Sequence, residues 1–288
     1  MERFVCTVRF GEEFKVGEDI IKKLGIERPE QIHESTEAIY NIAIESEYKG
    51  WIILPLCSTI AAESLGADVR LSIDGARIKE ERYKSKEEIN SLFDKNMDKD
   101  CKRLAVMMDV LKRLSSEGKH VIYGVEGPFT LLNSLMPMSK MFLTMRKDKE
   151  GKLLSNARKW ALEYMTMAIE NGAEVISYAD PIANIDIIGE KMFKEIYLPL
   201  CRDIIETIKE KYPDTAIHIC GKLTQSIIDT DCCEITRRLY DDKSSYGEVI
   251  REYVDDDEKE LIGHYCLNRL DSNRNYIEII SWRKNQEV

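Results

Sequence analysis

A chain of 288 residues with 43% hydrophobic and 33% charged side chains can bury one large core or two small ones, as an ordinary globular protein does. Its formal charge of −10 argues against nucleic acid or an anionic membrane as the main partner, and no apolar run approaches roughly 18 residues. The first residues, Met-Glu-Arg-Phe-Val-Cys, lack the apolar core of a secretion signal, and eight irregularly spaced cysteines do not form a disulfide framework, so a cytoplasmic protein with reduced thiols is expected.

Residues 1–50 read as a helical extension. Glu18 to Leu24 and Ser35 to Tyr48 carry apolar side chains at helical spacing, including Ile39, Ile42 and Ala43, and Gly25 and Pro29 separate the two. Trp51-Ile-Ile-Leu-Pro55-Leu is the first strand, followed by a short helix from Thr59 to Leu65 and an alternating strand from Asp68 to Ile73. Lys84 to Leu114 is charged and becomes helical in its second half, where Leu104, Met107, Met108 and Leu111 recur. The clusters Lys84/Lys86 and Lys99/Lys102/Arg103 read as a solvated face.

From His120 the alternation is regular. His120 to Val125 is a strand, Glu126-Gly-Pro-Phe-Thr130 a turn into a helix, and Leu153 to Ile169 an amphipathic helix closed by Asn171-Gly172. Val175 to Tyr178 is a strand running into Asp180-Pro181, and Phe193 to Lys211 is a helix interrupted at Pro199. Thr215 to Cys220 is the next strand, and Leu261 to Cys266 another apolar run. Strands separated by helices imply parallel βαβ units, and Glu126, Tyr178, Asp180, His218, Cys220 and Cys266 all fall where a strand runs into a loop. In a parallel α/β barrel that rim binds ligands. One barrel spanning residues 51–288 is expected.

Residues two apart in a strand share a face, so His218 and Cys220 project together, and an imidazole and a thiol on one face suit Zn²⁺. The spacing alone is weak, because a buried cysteine is usually a small hydrophobe. Cys266, at the end of a second apolar run, provides a further thiol that could converge on the same ion, and His264 is a reserve donor expected to share its face. Cys232-Cys233 reads as packing rather than as a metal pair, because adjacent residues of a strand point in opposite directions.

Gly124-Val-Glu-Gly-Pro-Phe-Thr-Leu131 resembles the Gly-Pro-Phe-Thr loop of the uroporphyrinogen decarboxylase superfamily, and Gly172 to Pro181 resembles its central strand. His218-Ile-Cys220-Gly221 is similar to the zinc motif of one branch, the methylcobamide:thiol methyltransferases. The resemblance covers about residues 50–270. It implies a TIM (β/α)8-type barrel with zinc held by His218, Cys220 and Cys266 at its mouth, and a methyl group passing from a corrinoid to a thiol. No Asp-x-His-x-x-Gly cobalamin motif is present, so a separate corrinoid protein is the expected partner, with a small-molecule thiol such as coenzyme M or homocysteine as acceptor.

Glu126, Tyr178 and Asp180 lie in the matched blocks and are the remaining candidates for catalysis. Each has a plainer reading, as a loop carboxylate, a pocket wall and a turn cap respectively. The arginine-rich early stretch of the decarboxylases has no counterpart before Trp51, and the several carboxylates of a porphyrinogen need cations to balance them. Tetrapyrrole decarboxylation is therefore the alternative within enzymes, and a non-catalytic zinc-binding barrel the alternative outside them. The interval from Cys220 to Cys266 is short for two further strand–helix units, so either Cys232–Tyr240 is a compressed strand or one unit of the barrel is missing or degraded, and the barrel is expected to be shortened in its C-terminal part.

Overall fold

A computed structural model describes residues 3–6, 16–79, 83, 85–93, 101–148, 150–256 and 259–283. Nine strands are described: β1 (Trp51–Leu54), β2 (Val69–Ser72), β3 (Gly75–Ile78), β4 (His120–Glu126), β5 (Val175–Ala179), β6 (Ala216–Cys220), β7 (Cys233–Leu239), β8 (Leu261–Tyr265) and β9 (Tyr276–Trp282). Seven form one sheet in the order β1-β4-β5-β6-β8-β9-β7. From β1 to β8 every neighbour is parallel, and β9 then runs antiparallel to both β8 and β7. The α/β class with its parallel strands is as expected. Among the described residues no ladder joins β1 to β7.

Two strands lie elsewhere than the pattern predicts. The alternating run after Asp68 becomes β2, which folds back on β3 as a separate antiparallel hairpin. The segment between Cys220 and Cys266 does contain a strand, β7, yet β8 pairs directly with β6 and β7 lies beyond β9 at the edge. The shortening thus falls in the C-terminal part, where the parallel order gives way to an antiparallel β8-β9-β7 ladder. The interruption expected at Pro199 is also local. Helix Leu198–Lys211 begins with Pro199 in its first turn, preceded by a π-helical turn over Phe193–Tyr197. Proline has no N–H for the regular bond to residue 195, and the wider turn accommodates that loss.

The sheet separates two apolar layers. Ile52, Tyr123, Ile176, Ile217 and Ile219 face the outer helices, among them Lys102–Ser116, Lys152–Glu170 and Leu198–Lys211. Trp51, Ile122, Val175, Ala216 and Ile262 face inward, where helix Tyr246–Asp255 packs Tyr246, Val249, Ile250 and Tyr253 against them. A capping box starts this helix: the Ser245 hydroxyl accepts from Glu248 N–H, and the Glu248 carboxylate accepts from Ser245 N–H. Its first turn is tied to β1 by the Trp51 indole N–H, which donates to the Gly247 carbonyl at 2.9 Å in a buried site. No helix among the described residues is long and apolar enough to cross a membrane.

Trp51→Phe keeps most of the apolar area and strands the Gly247 carbonyl. It should lower unfolding free energy by about 1–3 kcal/mol in a denaturant titration with an unchanged slope. Loss of amide protection should concentrate in the first turn of Tyr246–Asp255; uniform loss, or none, would show that the bond does not hold this helix.

Candidate functional site

Neighbours in register on parallel strands share a face, so the pairs Gly124–Ser177, Ser177–His218 and His218–Ile262 place four residues in one inward layer. Further towards the strand ends, Glu126 pairs with Ala179 and Cys220 with Tyr265. A cavity of about 960 Å³ opens at these ends, walled by Glu126, Ser177, Ala179, Leu267 and Asn268 among others. That volume lies within the usual range of small-ligand sites, about 300–1,000 Å³.

His218 is 1% exposed, and both ring nitrogens are buried without a hydrogen-bond partner. Burial pushes its pKa down to about 3, so the ring is neutral at pH 7 and carries a lone pair. The half-buried Cys220 caps helix Gly221–Asp229. Burial pushes its thiol up to about 11, outweighing the Lys222 and Leu223 amides that favour the thiolate. Cys266, also half-buried, has its thiol pushed up by burial against an opposing Asn268 amide. The donor set therefore fits a borderline metal such as zinc: an unpaired neutral imidazole and two thiols, with no disulfide joining any of the described cysteines. Among the described residues no three such side chains are already drawn together as an ion would draw them.

His264 departs from expectation. The β6–β8 register slips at Ile219/Cys220, and His264 takes up the slip with φ +59°. Its ring leaves the Cys266 face. Nδ1 lies 2.6 Å from Glu278 Oε2, and Nε2 lies 3.1 Å from Gln225 Oε1. Both nitrogens are thus engaged in a buried network that also holds Arg237 and Arg274 on Glu278.

The three other matched residues, Glu126, Asp180 and Tyr178, occupy different surroundings. Glu126 is on the cavity wall. Asp180 is fully buried and clamps the loop that follows β4: it accepts from Phe129 N–H (3.0 Å), Thr130 N–H (2.8 Å) and the Thr130 hydroxyl (2.6 Å). Gly127 is required there, because a Cβ would fall 2.4 Å from Asp180 Oδ2. Burial raises the Asp180 pKa to about 6 despite these donors. Tyr178 faces the outer helices with Phe193, Tyr197 and Cys201 rather than the cavity, and burial raises its pKa well above the usual phenol value.

One buried charge escaped the pattern reading. Arg103, expected on a solvated face, is 2% exposed; it donates to Glu63 at 2.6 Å and Thr59 at 3.2 Å and reaches the Cys57 sulfur on the cavity wall. The signal was present, since Arg103, Met107, Val110 and Leu114 follow one helical stripe and all are buried. Of the other lysines in those clusters, Lys84 and Lys99 lie outside the described residues, and Lys86 pairs with Asp148.

The family profile of uroporphyrinogen decarboxylase (URO-D) matches residues 50–265. The methylcobamide:CoM methyltransferase MtbA of Methanosarcina mazei is 28% identical over 188 residues, covering 62% of this chain and 54% of that protein. The methylcobamide:CoM methyltransferase MtaA of Methanosarcina barkeri is 25% identical over 231 residues, covering 75% and 65%. This chain thus spans little more than half to two thirds of the length of these relatives. A solved methyltransferase from Methanosarcina mazei superposes with a TM-score of 0.59 at 20% identity, covering 80% of this chain and 68% of that one, and shares its fold.

The Asp180 clamp has a pH signature. Its folded pKa of about 6 lies above the ordinary ~3.9, so its contribution to stability is complete below pH ~4 and is lost as pH rises through 6. The stability of the parent relative to Asp180→Asn should therefore fall by about 2–3 kcal/mol between pH 4 and pH 7 in paired urea titrations. A constant difference across that window would show that the carboxyl is not held as described.

Proposed function

The chain belongs to the uroporphyrinogen decarboxylase family, and we propose that within it this protein transfers a methyl group from a methylated corrinoid, carried by a separate protein, to a small thiol. The observation that carries this reading is His218, a neutral imidazole with two unpaired buried nitrogens, two positions before the strand-end residue Cys220, whose register partner Tyr265 precedes Cys266. Relatives named as methylcobamide:CoM methyltransferases support it.

His218, Cys220 and Cys266 would hold zinc, which would supply the positive charge that favours a thiolate at neutral pH. Burial favours the thiol form of both cysteines, and a bound cation would take the place of their protons, which leave to solvent. Two thiolates and a neutral imidazole leave the donor set electron-rich, which keeps an added sulfur reactive. The cavity beneath the strand ends receives the body of the acceptor, coenzyme M or homocysteine being of suitable size. Glu126 lies on its wall. Asp180 positions the Gly127–Thr130 loop, and Tyr178 packs in the outer apolar layer.

The rival within the family is decarboxylation of a tetrapyrrole. Arg77 and Lys79 line the cavity, while Arg103 is engaged by Glu63, which is a small cationic supply for a porphyrinogen with several carboxylates.

Purified without chelator, the protein should contain about one zinc per chain, with sulfur ligands near ~2.3 Å. It should demethylate a methylated corrinoid protein in the presence of a thiol, read anaerobically from the cobalt chromophore. Cys220→Ala should remove both zinc and transfer, whereas Tyr178→Phe should slow transfer by less than about tenfold. Full zinc occupancy in Cys220→Ala would remove the site from consideration. Zinc-loaded protein that is inert with its corrinoid partner across a panel of thiols, yet decarboxylates a porphyrinogen, would establish the rival.

A further inference from the structure

β7 ends the sheet, and the direction of its backbone groups follows from its bonds to β9. The Tyr240 N–H donates to the Asn275 carbonyl at 2.7 Å, and the Arg283 N–H donates to the Cys232 carbonyl at 3.1 Å. These bonds bracket a continuous antiparallel ladder from Cys233–Trp282 to Leu239–Tyr276. Bonded and non-bonded pairs alternate along such a ladder, so the even-numbered residues of β7 bond to β9. The odd-numbered ones, Cys233, Ile235 and Leu239 among them, turn their N–H and C=O groups outward. No strand among the described residues pairs with that side.

Natural sheets guard an edge of this kind with proline, a bulge, a very short strand or charged side chains. β7 is seven residues long, has no proline, and keeps its register with β9 throughout. Leu239 at its end is 72% exposed. The charges of Glu234, Arg237 and Arg238 are its remaining guard. Whether they repel or attract a second strand depends on which residues stand opposite them.

We propose that β7 pairs antiparallel with β7 of a second copy of this chain, about a two-fold axis at Thr236. This register sets Cys233 opposite Leu239 and Ile235 opposite Arg237, so outward-turned residues of one strand meet outward-turned residues of the other. Glu234 then faces Arg238, twice by symmetry, in the non-hydrogen-bonded positions where side chains stand closest. Arg238 binds Asp256 through Nη1 and Glu260 through Nη2, and a planar guanidinium carries further N–H donors for a carboxylate. An axis at Arg237 would oppose two guanidinium groups. An axis at Ile235 would leave Leu239 beyond the end of the other β7. Neither sets Glu234 against an arginine. The pairing joins two seven-stranded sheets edge to edge and does not depend on the metal reading.

The purified full chain should sediment with about twice its 33.3 kDa mass at micromolar concentration. Thr236 is exposed, and Thr236→Lys opposes two ammonium groups at the axis, so it should weaken association by about fivefold or more. A cross-link reads the register directly. The two Thr236 Cα atoms would stand about 4.5 Å apart, within reach of a disulfide, whereas the two Glu234 Cα atoms would be about 13 Å apart. Mild oxidation should therefore link Thr236→Cys through position 236, as read by peptide mapping, and leave Glu234→Cys without a 234–234 link. A single-chain mass at every concentration overturns the pairing. So does a dimer that Thr236→Lys does not weaken, or one in which Thr236→Cys fails to link. Equal linking of the two cysteine variants overturns the axis at Thr236.

Discussion

The register of β4, β5, β6 and β8 is the constraint on which the rest of the site depends. Parallel strands locked in step project matching residues onto one face, and a slip of one position would exchange the inner and outer sets entirely. The outer helices bury Tyr123, Tyr178 and Ile219, while the inner helix Tyr246–Asp255 buries Ile122, Val175 and Ala216. Because both faces are covered by apolar packing, neither set can move to the other side without exposing a core. His218 is fixed inward by that argument before any chemistry is considered. The single slip in the ladder, between Ile219 and Cys220, comes after His218, leaves His264 out of register and sets Tyr265 opposite Cys220.

Burial at the site works against the folded state and in favour of ligand binding. Two buried ring nitrogens without partners forfeit about 1–3 kcal/mol relative to paired ones. The Cys220 and Cys266 thiols are likewise held in surroundings that disfavour their anions. A cation accepting the imidazole lone pair and replacing the thiol protons, as proposed, would relieve these penalties together. Asp180 shows the same economy at the next strand end, a buried carboxylate kept only because three donors converge on it. Such groups are costly alone and persist where neighbouring structure fixes their partners.

Local periodicity made much of this legible in the sequence. The spacing of two placed His218 and Cys220 at a strand end, and the strand–helix alternation from His120 to Cys220 yields β4, β5 and β6 within a residue or two. Three features needed information that is not local. His264 shares the parity of Cys266, and only a bulge breaks it. Arg103 belongs to a buried stripe by helical spacing, but its charge among neighbouring lysines made the stripe read as solvated. Asp180 gave no sign of whether it faces a cavity or caps a loop, since both positions follow a strand; the converging amides of Phe129 and Thr130 come from another strand's turn. Pairing order is equally non-local, and the place of β7 beyond β9 could not be read from its own composition.

The shortened C-terminal part bears directly on the site. With β7 displaced to the edge, β8 sits beside β6, and the register sets Cys220 against Tyr265, so Cys266 follows its partner by one residue. The two thiols therefore stand at the ends of adjacent strands. Had another strand stood between them, a spacing of ~4.8 Å per strand would have separated the donors by a further step. The same arrangement brings helix Gly221–Asp229 against β8, through Thr224, whose hydroxyl accepts from His264 N–H at 3.1 Å and lies where a Cβ on Gly263 would fall. That contact aligns Gln225 with His264 and so creates the acceptor that docks Phe4. The β6–β8 pairing thus joins His264, Gln225 and the Phe4 N–H in one network.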